Sequence, residues 1–97
     1  MILTGKAKEE CIKAKIGNEI NLFESMLPIY KNALLIEWFD SVGIYVNSDY
    51  FELNKWFYSE VLDSNFAIVK PTRQEALTEA IKKANEIYNE KWVHLLN

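Results

Sequence analysis

With 97 residues, 49% of them hydrophobic and 13% aromatic, the chain is long enough for one domain with its own core, which excludes both a disordered tail and a disulfide-stapled miniature. Its net charge is −3 and its only arginine is Arg73, so the basic stripe of a duplex-binding protein is missing and direct nucleic-acid binding is disfavoured. No apolar run reaches the ~18 residues of a membrane span, the N-terminus lacks the apolar core of a signal peptide, and the lone Cys11 has no internal disulfide partner; these point to a cytoplasmic protein with no membrane partner.

The charge is unevenly spread. Residues 1–20 hold four lysines against three glutamates, residues 70–97 hold five basic residues against four glutamates, and residues 21–69 hold two lysines against seven acids. The middle therefore carries the negative charge, which reads either as an ordinary solvated surface or as a match for a basic partner, as in a nucleic-acid mimic.

Taken in order, Leu3 to Lys15 carries Ala7, Cys11, Ala14 and Ile12 at helical spacing with Lys and Glu between, and Thr4 stands where an N-cap belongs; this predicts an amphipathic helix. Gly17 and Asn18 stop it. Leu22 to Met26 suits a helical turn or a loop. Pro28 fits the first turn of a second helix running to about Val42, apolar nearly all round and hence central, with Gly43 as a left-handed terminator of positive φ. Beyond Gly43 the period changes to two. Ile44 to Val46 reads as a short strand, Asn47, Ser48 and Asp49 as a turn, Phe51 to Leu62 as a second strand, Asp63 to Asn65 as another turn, and Phe66 to Val69 as a third strand.

Pro71 to Lys91 is a helix with a full start signal: Thr72 and Glu75 spell a capping box, and Leu77, Ala80, Ile81, Ala84, Ile87 and Tyr88 form one stripe. Glu79 with Lys83 and Lys82 with Glu86 are four-spaced ion pairs. The tail from Lys91 is apolar enough to dock on the domain or meet a second chain. The predicted fold is a single α+β domain of order α-α-β-β-β-α, a small antiparallel three-stranded sheet with helices packed on one face.

Three stretches, LTGKAKEE at Leu3 to Glu10, IEWFDSVGIYV at Ile36 to Val46 and TRQEALTEAIKKANEIYNE at Thr72 to Glu90, resemble a family of short uncharacterised proteins of phages and prophages of gut bacteria. The stretch between Cys11 and Leu27 departs from that pattern. The resemblance implies a mobile-element origin and a bacterial host cell, and it brings no catalytic residue, cofactor or ligand.

Chemistry-bearing constellations are few. Glu86, Glu90 and His94 share a helix face and suit a metal only weakly, since no further His or Cys completes a site; a solvated face explains them better, and no metal or cofactor is expected. Cys11 on an apolar stripe is a core thiol rather than a nucleophile. Asp40, Ser41 and His94 hold the letters of a triad, but Asp40 and Ser41 are neighbours on one helix and point apart, and no glycine-rich phosphate loop exists, so no enzyme is expected.

The aromatic second strand stands out. Alternation puts Phe51, Leu53, Phe57 and Val61 on its inner face and Glu52, Asn54, Trp56, Tyr58 and Glu60 on its outer one. With Tyr45 alongside, Trp56 and Tyr58 then form an aromatic patch rimmed by Glu52 and Glu60, a composition suited to binding another protein. Coverage of this face by the tail or the first helix would instead make it a second small core. The functional expectation is a protein-binding accessory factor; the alternatives are a small enzyme or ligand binder with a site the sequence does not display, and a self-assembling component meeting further copies through its tail.

Overall fold

The computed structural model describes residues 1–51 and 55–96, the last four of these by backbone alone. The α+β class and its element order are as expected, with one short extra helix. Helix α1 runs Gly5–Cys11 and widens into a π-helical turn over Ile12–Ile16; α2 is Ile20–Ser25, α3 Pro28–Ser41 and α4 Arg73–Leu96. Between α3 and α4 lie the strands β1 (Val46–Phe51), β2 (Trp56–Val61) and β3 (Ala67–Lys70), joined as an antiparallel meander of order β1-β2-β3.

The π turn corrects the predicted stripe of the first helix. Cys11 and Ile16, five residues apart, would face different sides of an α-helix, whereas the wider turn lets both be buried; Ala14 is consequently turned out to solvent. Helix α3 starts on Pro28, buries Leu35, Trp38 and Phe39, and ends before Gly43, whose φ of 83° is the left-handed conformation expected there. Its Asn32 is buried too, donating to Gln74 and Thr78 of α4.

Helix α4 is the hub, lying across all three strands on one side and packing on α1 and α3 on the other. Its buried residues Ala76, Ala80, Ile81, Ala84 and Asn85 are mostly small, which suits a helix enclosed on two sides. The capping box forms as predicted at its donor end: the Glu75 N–H donates to Thr72 Oγ1 at 3.2 Å. The same four charged residues pair on its surface, but at three-residue spacing, Glu79 with Lys82 at 3.2 Å and Glu86 with Lys83 at 3.4 Å. Both spacings make neighbours on a helix, so the partners exchange at little cost.

Two asparagines of α4 close the fold. Thr4 sits at the N-cap position of α1 but makes no intrahelical cap with its side chain. Asn85 Oδ1 instead accepts the Thr4 N–H at 2.9 Å while Asn85 Nδ2 donates to Thr4 Oγ1 at 3.0 Å. Asn89 Oδ1 accepts the Ala7 N–H at 2.8 Å, and Asn89 Nδ2 donates to the Thr4 carbonyl at 3.0 Å. Two N–H groups at the start of α1, those of Thr4 and Ala7, are thus satisfied from a helix more than 80 residues away in sequence. Gly5 beside them has φ of 57°, and a Cβ there would stand 3.2 Å from Asn89 Nδ2.

In the sheet, Phe51 pairs with Trp56, so Asn47 to Asp49 are not the first turn but lie inside β1. Six ladder pairs outweigh the weak strand preference of Asn, Ser and Asp. The second strand accordingly starts at Trp56 and not at Phe51. The second turn is where it was predicted, with Asp63 in the left-handed region at φ of 61°. Under α4 the cross-strand pair Ser48 and Ser59 buries two hydroxyls that make no hydrogen bond among the described residues.

Removal of the Thr72 cap by Thr72→Ala is expected to lower stability by ~0.5–2 kcal/mol, and Asn89→Ala, which leaves the partly buried Ala7 N–H without its partner, by ~1–3 kcal/mol. Denaturant midpoints test both; an unchanged midpoint in Asn89→Ala would show that water replaces the amide at no cost.

Candidate functional site

Helix α4 covers one face of the sheet and leaves the other open. The pairing of Leu62 N–H with the Tyr45 carbonyl at 2.9 Å, continued through the register of Asn47 with Glu60, Asp49 with Tyr58 and Phe51 with Trp56, sets the two faces. Val46, Ser48, Tyr50, Phe57, Ser59 and Val61 share the face that meets α4, and Val61 and Ser59 are fully buried there. Arg73 at the start of α4 stacks its guanidinium over Phe57, 5.2 Å from the ring centre.

Tyr45, Trp56, Tyr58 and Glu60 fall on the open face, but Tyr45 stands opposite Leu62 at one end of the ladder and Trp56 opposite Phe51 at the other; Glu52 lies outside the described residues. Tyr45 is 48% exposed and Trp56 43%, while Tyr58 and Glu60 are half-buried by their neighbours. Two further members were not expected. Phe51, assigned by alternation to the inner face, belongs to β1, so its parity is reversed; it is 45% exposed and meets Tyr58 edge-on at 5.8 Å. Leu62, 46% exposed, extends the same surface past the end of β2. A 12-residue strand from Phe51 to Leu62 is twice the usual length, and that excess was the sign of a turn within it.

Polar groups of this face lie between its two ends, on both β1 and β2. The Tyr58 hydroxyl donates to Glu60 Oε2, and Asn47 Nδ2 reaches Glu60 Oε1 at 3.5 Å. Asp49 Oδ1 accepts the N–H of Tyr50 at 2.7 Å. Asn47, Asp49, Tyr50, Phe51, Tyr58 and Glu60 line a depression of 290 Å³ at the centre of this arrangement. Donation to Glu60 holds the Tyr58 phenol above its ordinary pKa, because ionisation would set an anion against a carboxylate.

Elsewhere the described residues offer little chemistry. Cys11 is fully buried and desolvation pushes its thiol up to about 11, so it stays protonated at neutral pH. The Ser41 hydroxyl donates to the Trp38 carbonyl of its own helix at 2.5 Å. No group of three His, Cys, Asp or Glu residues stands close enough to hold a metal among the described residues, and the side chain of His94 lies outside them. No described helix is long and apolar enough to cross a membrane.

No family model, no curated protein and no solved structure matches this chain. Its functional reading therefore rests on geometry.

Because the neutral phenol is the form that donates, the Tyr58–Glu60 bond persists below the ordinary tyrosine pKa and is lost as pH rises through the raised one. A spectroscopic titration of Glu60→Gln is expected to show one tyrosine ionising at lower pH than in the parent; identical titrations would show that the bond does not form in solution.

Proposed function

We propose that the protein works by binding another protein through the open face of its sheet, as a small accessory factor of the phage type inside a bacterial cell. The observation that carries this reading is the set of four large apolar side chains, Tyr45 opposite Leu62 and Phe51 opposite Trp56, each more than two-fifths exposed and standing at the two ends of a face that no described helix covers. Exposed aromatic anchors interleaved with polar groups are the composition of protein interfaces. The resemblance to short phage and prophage proteins supplies the setting, since such proteins commonly act on host or phage machinery. Catalysis finds less support: the one thiol is buried and protonated, and Ser41 is bonded back to its own helix.

Self-assembly is the second reading, favoured by a separate exposed cluster of Leu22, Leu27, Ile29 and Tyr30 where α2 turns into α3. A mass in solution that is a clean multiple of 11.3 kDa, reduced to one unit by Tyr30→Ser, would support it.

The test of the main reading is Trp56→Ala. The variant is expected to stay folded, because the ring lies on the open face, and to lose at least about tenfold in capture of a partner from host lysate, the loss typical of a central aromatic anchor. A variant that unfolds would place Trp56 in the core, and one that captures the same partners unchanged would remove this face from the site.

A further inference from the structure

Of the seven acids between residues 21 and 69, two are already answered by cations: Glu24 by the N-terminal ammonium at 3.0 Å and Glu37 by Lys15 at 3.0 Å. Asp49 and Glu60 meet no cation among the described residues. Their only described partners are uncharged donors, namely the Tyr50 N–H, the Tyr58 hydroxyl and the Asn47 amide. Both stand on the open face, on adjacent strands and one diagonal step apart, since Asn47 pairs with Glu60 and Asp49 with Tyr58. Diagonal neighbours of this kind lie ~7–8 Å apart, a gap that one cationic head group bridges. The 290 Å³ depression between them has the rings of Phe51 and Tyr58 as walls, and no lysine or arginine lies among its lining residues.

We infer that the open face receives an apolar segment of a partner protein that projects an arginine into the depression between Asp49 and Glu60. This rests on the reading of the face as a protein-binding surface and adds the chemistry of what it binds. Three features select the occupant. Two carboxylates without a cation need a positive group once water is excluded, because a buried unpaired charge is costly. A planar guanidinium stacks on aromatic rings and bonds to carboxylates at once, which an ammonium does less well. Exposed Tyr45, Trp56 and Leu62 around the depression supply apolar contact for the residues flanking that arginine.

A second copy of the chain is a poorer occupant. Stacking two open faces would bring Asp49 and Glu60 of each against like charges, with no lysine or arginine in β1, β2 or on that face of β3 to answer them. Edge-to-edge pairing through β1 is hindered as well, because the Tyr50 N–H, which the ladder alternation points away from β2, is already taken by Asp49.

The experiment uses the full chain and two labelled synthetic peptides that share one leucine-rich sequence and differ only in a central arginine or glutamate, titrated by fluorescence anisotropy. The arginine peptide is expected to bind at least about tenfold tighter than the glutamate peptide, with the preference falling towards one in the double variant Asp49→Asn, Glu60→Gln, whose surface changes leave folding intact. Trp56→Ala is expected to weaken both peptides. If the peptides bind equally and Trp56→Ala weakens both, the face binds protein but the arginine inference is overturned. If Trp56→Ala alters neither, or neither peptide binds, the inference falls, and in the first of these cases the reading of the face falls with it. Dimerisation of the free chain that Trp56→Ala abolishes would name a second copy as the occupant and overturn the inference.

Discussion

Everything in this fold depends on α4 being buried from two sides. A helix that meets a sheet on one flank and two other helices on the opposite flank must be narrow where it is enclosed, and Ala76, Ala80 and Ala84 provide that narrowness. Ile81 and the rings of Trp38 and Tyr88, 5.0 Å apart, fill the space that the alanines leave on the helical side. Enlarging any of the three alanines would push the sheet and the helical layer apart, because a close-packed interior has no room to absorb the extra atoms.

The same helix settles where the chain's first helix lies. Asn85 and Asn89 are one turn apart, so both amides face the start of α1, and their four hydrogen bonds replace a local cap that Thr4 does not make for itself. A cap delivered from another element also fixes orientation: α1 cannot slide along α4 without stranding the Ala7 N–H. Gly5 allows this close approach, since a side chain there would press on Asn89.

With one face of the sheet committed to α4, the other face is left to solvent and to partners. Its composition is intermediate between core and surface. Aromatic and aliphatic residues occupy Tyr45, Phe51, Trp56 and Leu62, yet Asn47, Asp49 and Glu60 lie among them, and burial under a further helix of this chain would desolvate the two carboxylates. A three-stranded sheet this small gains stability mainly from α4, with α3 meeting β1 as well, while the polar residues of β1 and the Pro71 that follows β3 discourage its edges from recruiting stray strands.

What the sequence determined by itself is whatever depends on neighbours close in the chain. The Thr72 cap, the positive φ of Gly43, the start of α3 at Pro28 and the alternation along Trp56 to Val61 all follow from local backbone sterics and side-chain period, and all are found in the structure. The open aromatic face was legible in the same way, because parity within one strand needs no knowledge of the fold. Tertiary structure decided the rest. Asn47 to Asp49 read as a turn yet form a strand because β2 pairs with them, and Phe51 changes face because that pairing moves the turn beyond it. The π turn after Cys11 answers to where Ile16 must pack, and the capping of α1 comes from Asn85 and Asn89. Interactions across more than 80 residues leave no periodic trace, so only the folded chain reveals them.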